Sequence, residues 1–107
     1  MTKVLPITRA NLAGKRRYAI YIDKLADYSG IPLSLLIEEL KASKLRQHID
    51  WVYNPNKESY ALSLASAQAI IITSLVRAAE HSLAWQTWHA ITDHIQGQTH
   101  ETTTKVK

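Results

Sequence analysis

The chain contains no cysteine, which excludes disulfides and thiolate metal sites and fits a reducing compartment. It also lacks any apolar run near the roughly 20 residues that span a bilayer. The longest, residues 69–76, is interrupted by Thr73 and Ser74. Near the N-terminus Lys3 is followed by Pro6, Thr8 and Arg9, which break any signal-peptide core. These absences point to a soluble, cytoplasmic chain with no membrane partner. Catalytic signatures are missing as well: no Gly-rich phosphate loop, no carboxylate pair placed for a cleft, no nucleophile beside an evident base. The pattern points away from an enzyme and calls for no cofactor.

What remains is 107 residues, 46% apolar and 21% charged, the composition of one globular domain with one core. The charge is uneven. Residues 1–57 hold ten Lys or Arg against five acids, and residues 58–107 hold three against four. A basic first half on a near-neutral second half suggests one surface that meets an anion, phosphate backbone being the commonest; general solubility is the plainer explanation.

Residues 1–6 read as a loose opening, residues 7–96 as one domain, and residues 97–107 as a disordered tail with three consecutive threonines and little to bury. Thr8 can cap a short helix over residues 9–13 that Gly14 ends. Lys15-Arg16-Arg17 follows as a basic knot, and Tyr18-Ala19-Ile20-Tyr21-Ile22 has the composition of a strand. Asp23 reads as the N-cap of a helix closed by Gly30. Pro32 suits the first position of a second helix, with Leu33, Leu36, Ile37 and Leu40 as its buried stripe. Asp50-Trp51-Val52-Tyr53 and Tyr60-Ala61-Leu62 flank the turn-forming Asn54-Pro55-Asn56-Lys57 and read as a hairpin. Beyond it a helix carries Ala69, Ile72, Leu75, Val76 and Ala79 on one side. A break near Glu80-His81, with Ser82 as cap, starts a last helix with Leu83, Trp85, Trp88, Ile91 and Ile95.

The segment from Leu25 to Leu36 has helix-turn-helix spacing: Ala26 four residues before Gly30, Ile31 directly after it, and Leu36 six beyond. Helix, strand, helix, helix, hairpin is the order of a winged helix. The expected fold is therefore α+β and mostly helical, a winged helix-turn-helix with a small hairpin wing and C-terminal helices. Its second helix would face outward with Ser34, Leu35, Glu38, Glu39 and Lys41. Base edges are usually read by Arg, Lys, Asn and Gln, and two adjacent glutamates are repelled by phosphates. DNA contact is then assigned to Lys15, Arg16, Arg17, Ser34, Lys41, Lys44, Arg46 and the wing residue Lys57, mainly to the backbone of double-stranded DNA.

The run over residues 20–91 also resembles the N-terminal domain of phage antirepressors and their relatives, the AntA, Bro-N and KilA-N group. The resemblance rests on Tyr21-Ile22-Asp23-Lys24-Leu25-Ala26 and Gly30-Ile31. It continues through His48-Ile49-Asp50-Trp51, where the family tends to have Gly-x-Asp-Phe, and Tyr60-Ala61-Leu62-Ser63-Leu64 leading into an Ala-rich helix. Trp88 falls where the family often has an aromatic. The family's Gly-Arg-Pro stretch is replaced by Asn54-Pro55-Asn56-Lys57-Glu58-Ser59, and the arginines usual before the final aromatic are Gln86 and Thr87. The resemblance implies a regulator of a phage or mobile element.

Two functions stay open. One is a DNA-binding transcription regulator. The other is an antagonist that grips a repressor or other regulatory protein without touching DNA, through Glu38 and Glu39 and an aromatic patch of Trp85 and Trp88. For the two tryptophans the core is the preferred place, since such rings bury large areas, and a dimer interface comes second. Leu83, Trp85, Ile91 and Ile95 raise a homodimer through the C-terminal helices. Of the five histidines, His89 and His94 are spaced wrongly to share a helix face as i, i+4 ligands, so no metal site is expected.

Overall fold

The computed structural model describes the backbone of residues 4–75 and 81–106 and the side chains of residues 4–74 and 83–97. The chain opens with two strands, β1 (Thr8–Leu12) and β2 (Lys15–Tyr21), followed by two helices, α1 (Ile22–Ser29) and α2 (Leu33–Ala42). Strands β3 (Trp51–Asn54) and β4 (Ser59–Ser63) come next, then α3 (Leu64–Leu75) and α4 (His81–Val106). The four strands form one antiparallel sheet in the order β1-β2-β4-β3, curled into a half-barrel.

This architecture corrects the winged helix-turn-helix expectation. The first element is a strand, not a helix, and the chain is about half helical. The β3–β4 hairpin is not a free wing, because β4 pairs on its other side with β2 through Ala19↔Ser63, Ile20↔Leu62 and Tyr21↔Ala61. The Lys15-Arg16-Arg17 knot is the start of β2. Ala13 and Gly14 join β1 to β2 with φ of 53° and 76°, and Leu12 pairs directly with Lys15. Positive φ at both central residues is what a two-residue type I′ hairpin turn requires.

Strand alternation sorts the sheet into two faces. Ile20, Leu62, Trp51 and Tyr60 pack toward the helices, where Ile22, Leu25, Ile31, Leu36, Ile70, Ile71 and Ile91 complete the main core. Ala10, Leu12, Ala19 and Ala61, with Tyr21 and Val52, form a second cluster on the inner face of the curl.

Helix α1 begins at Ile22 behind Tyr21, with no side-chain cap. Asp23, expected as that cap, instead accepts a 2.6 Å hydrogen bond from Ser59 Oγ and ties α1 to β4. Gly30 closes the helix at φ 75°, its N–H donating to Ala26 O. Pro32 precedes α2 as its N-cap. The buried side chains of α2 are Leu35, Leu36 and Leu40, whereas Leu33 is 40% exposed. The stripe is rotated because the helix packs between α1 and α3.

On α3 the buried face carries Ala67, Ile70, Ile71 and Ser74, while Ala69 and Ile72 face outward. Val76 and Ala79, and the side chain of Leu75, lie outside the described residues. Helices α3 and α4 are separate and packed together, joined where Gln68 Nε2 donates to Trp88 O and Thr92 Oγ1. Ser82, expected as the cap of α4, lies inside the helix, its side chain outside the described residues. The backbone of α4 continues across the stretch expected to be an open tail, whose side chains beyond Gly97 are likewise not described. Among the described residues no helix is long and apolar enough to cross a membrane.

Candidate nucleic-acid interface

The curl brings the sheet's two edges, β1 and β3, toward each other. At one end they are joined. The Ala13 N–H donates to His48 O at 2.8 Å, so the β1–β2 turn is pinned to the chain between α2 and β3. That connection is itself folded tightly. Arg46 N donates to Asp50 Oδ2 at 2.8 Å, Asp50 N donates to Arg46 O at 2.8 Å, and His48 N donates to Trp51 O at 2.6 Å. His48 takes φ 69° to make the turn. As a result Lys15, Arg16 and Arg17, all exposed on β2, share one end of the molecule with Arg46 and His48. These groups are far apart in sequence.

Away from the pinned end the edges diverge and leave a groove of about 290 Å³. Arg9, Asn11 and Arg16 line its β1–β2 side, and Tyr53, Asn54 and Pro55 its β3 side, with Tyr21, Val52 and Ala61 beneath. Among the described residues no carboxylate lines it. The groove is held in shape by its own polar groups: Asn54 Nδ2 donates to Tyr21 Oη at 2.7 Å, and Asn54 Oδ1 accepts from Asn56 N at 3.0 Å. Lys57 Nζ lies 5.5 Å from the centroid of the Tyr21 ring, within cation–π range.

Arg9 is oriented by Tyr18. Its guanidinium lies 4.7 Å from that ring's centroid, and Nη2 donates to the hydroxyl at 3.1 Å. One of the five guanidinium donors is used in this way. On the helix-facing side a second cleft, about 360 Å³, is lined by Arg16, Arg17, Tyr18, Ser63, Leu64 and Ile95. Arg16 therefore borders both clefts. Arg17 also donates from Nε to Leu12 O at 3.0 Å, bracing the hairpin it belongs to.

Comparison with protein-family models, curated proteins and solved structures gives no match. The site must be read from its own chemistry.

Of the cations assigned from sequence, Lys15, Arg16, Arg17 and Arg46 come together around the pinned hairpin, and Lys57 stands over the floor of the groove. Lys44 borders a different, mostly apolar groove with Leu45, Ala69 and Ile70. Ser34 and Lys41 are exposed on α2 and line neither sheet cleft. Glu38, exposed, and Glu39, half-buried, belong to the same helix. Trp85 is 43% exposed, whereas Trp88 is half-buried against the core with Nε1 lacking an acceptor. The rings meet edge to face at 5.8 Å. Ile91 is fully buried and Ile95 packs on the same core, so much of the apolar content that suggested a dimer is used within the chain.

Sequence reasoning missed Arg9, Asn11, Tyr53 and Asn54. Arg9 and Asn11 were hidden by the helical reading of residues 9–13. Once that stretch is a strand, the pairs Arg9↔Tyr18 and Asn11↔Arg16 place them beside the known cations.

Proposed function

We propose that the chain is a DNA-binding regulator of transcription that grips phosphate backbone with its curled sheet rather than reading bases with a helix. One observation carries the reading: the hydrogen bond from Ala13 to His48 gathers the cations of the β1–β2 hairpin and of the α2–β3 connection at one end of the sheet. Like charges held together repel one another, and an anionic partner relieves that repulsion. The acidic residues Glu38 and Glu39 on α2 support backbone contact over base reading, since a helix entering a groove passes between phosphates. The resemblance to phage antirepressor domains supports a place in the regulation of a phage or mobile element, in the cytoplasm. The alternative, an antagonist of a regulatory protein, draws its support from exposed Trp85 and Leu33; half-burial of Trp88 narrows the aromatic patch it would use.

The test is a gel-shift titration at low salt comparing wild type, the triple variant Lys15→Gln/Arg16→Gln/Arg17→Gln, and the control Lys24→Gln on exposed α1 surface. Wild type and control retard DNA. The triple variant binds more weakly, with its salt dependence reduced by about 0.7–0.9 log units per lost phosphate contact. Absence of any retarded DNA, or equal binding by the triple variant and the control, refutes the proposal.

A further inference from the structure

An acid, Asp50, stands at the cationic end of the sheet, where its charge alone would repel a phosphate. We infer that Asp50 is a positioning residue of the anion site, an acid whose loss weakens the hold on DNA; the inference rests on the nucleic-acid reading above. It acts through hydrogen bonds and not through its charge. Its Oδ2 accepts from Arg46 N at 2.8 Å, its own N–H donates to Arg46 O at 2.8 Å, and its carbonyl accepts from Ser63 N at 2.9 Å. One residue therefore closes the loop from Arg46 to Asp50 and fastens it to the end of β4.

The closed loop holds strained backbone in place. Among the described residues, three that are not glycine take positive φ: Ala13 at 53°, His48 at 69° and Glu58 at 48°. Such backbone is rare, persists only where its surroundings hold it, and gathers at functional sites. Two of the three, Ala13 and His48, are bonded to each other by the 2.8 Å contact that pins the hairpin to the loop. His48 offers its carbonyl to Ala13 only while the chain is folded back on itself, with Arg46 before it and Asp50 after it. A bond from a backbone N–H to a carboxylate is among the stronger ones, and half-buried Asp50 supplies it. Without that acceptor the Arg46 N–H turns to water, His48 relaxes out of the left-handed region, and exposed Arg46 parts from the hairpin cations. Asparagine keeps an acceptor oxygen in the same place and sheds the charge.

The experiment is fluorescence anisotropy with a labelled DNA duplex over a salt series around 0.1 M. One phosphate contact contributes about 0.9 to the slope of log affinity on log salt, which is about eightfold in affinity at about 0.1 M relative to 1 M. Folded Asp50→Ala is expected to bind about eightfold weaker than wild type at about 0.1 M, with the slope lower by about 0.9. Asp50→Asn is expected to bind at least as tightly as wild type. So is Glu58→Gln, which removes an exposed acid from the β3–β4 turn. On an Arg46→Gln background Asp50→Ala is expected to change nothing further, because the contact it positions is already gone. Three results overturn the inference and leave the proposed function standing: Asp50→Ala as tight as wild type, Asp50→Asn as weak as Asp50→Ala, or an undiminished Asp50→Ala effect without Arg46. No duplex bound by wild type overturns both. Should Asp50→Ala fail to fold, Asp50→Glu decides at unchanged charge, since its carboxylate is one carbon out of place. A loss of about eightfold there supports the inference, and binding as tight as wild type overturns it.

Discussion

Gly30 offers a quantitative test of how α1, α2 and α4 meet. It sits at φ 75°, and a Cβ built there would lie 2.7 Å from Leu83 Cδ2, at the end of a flexible side chain on α4. Gly14 is the natural control. It has nearly the same φ, 76°, in the β1–β2 turn, but a Cβ there meets nothing within 4 Å. Alanine in the left-handed region costs about 1.5 kcal/mol, and Gly14→Ala should cost only that. Gly30→Ala adds the displacement of Leu83 from its rotamer, about 1 kcal/mol, for a total of about 2.5 kcal/mol. With a urea slope of about 1.5 kcal/mol/M, the unfolding midpoint falls by about 1 M for Gly14→Ala and about 1.7 M for Gly30→Ala. The contact is isolated by repeating Gly30→Ala on a Leu83→Ala background, where the obstructing methyl is gone. There the cost returns to the Gly14→Ala value, a coupling of about 1 kcal/mol and above the error of such cycles, about 0.3–0.5 kcal/mol. Equal costs for the two glycines, or a Gly30→Ala cost unchanged without the Leu83 side chain, refute the close approach of the α1–α2 turn to α4.

Ile91→Ala removes a fully buried side chain from the main core and should lower stability by about 3 kcal/mol in denaturant unfolding; a loss below about 1 kcal/mol contradicts its placement. Ser59→Ala deletes the hydroxyl that donates to Asp23 and should cost about 1–2 kcal/mol in the same assay. On an Asp23→Ala background the Ser59→Ala cost should shrink toward zero, and a cost that is unchanged there refutes the interaction.

The elements after β2 were easier to read from the sequence than the opening hairpin. The α1–α2 pair, its Gly30 turn, the β3–β4 hairpin and the two C-terminal helices follow local rules of turn chemistry and period, and they appear close to where those rules put them. Residues 8–12 do not. Arg, Ala and Leu are good helix formers, Thr8 looks like a cap, and Gly14 looks like a stop. The hairpin that forms instead turns on Ala13 with φ 53°, a conformation alanine rarely takes. Asn-Gly and Asp-Gly announce such turns, whereas Ala-Gly does not. Pairing with β2 and burial of Ala10 and Leu12 outweigh the local preference. The face of α3 was hidden for a different reason. Ala69-Ile70-Ile71-Ile72 is apolar all round, so no period distinguishes inside from outside. The Lys15-Arg16-Arg17 component of the site was legible as charge, but its meeting with Arg46 depends on a long-range bond that no local pattern encodes.

The curl and the cationic cluster share one cause. Strand positions facing into the curl are Ala10 and Leu12 on β1, Ala19 and Tyr21 on β2, Ala61 on β4 and Val52 on β3. Three of these are alanines, and all three are buried. Interiors pack at crystal-like density, so short side chains on one face let the strands bend toward that face until their backbones come close. On the other face Ile20, Leu62, Trp51 and Tyr60 are large and fill space against the helices, which opens the sheet outward there. The difference in volume between the two faces therefore drives the bend. It carries β1 toward β3 until Ala13 reaches His48. A flatter sheet, with larger residues at those three positions, would keep every cation in the chain yet separate Arg46 from the hairpin and spread the two rims of the groove. The positive surface is thus made by where alanine stands in the strands as much as by where lysine and arginine do.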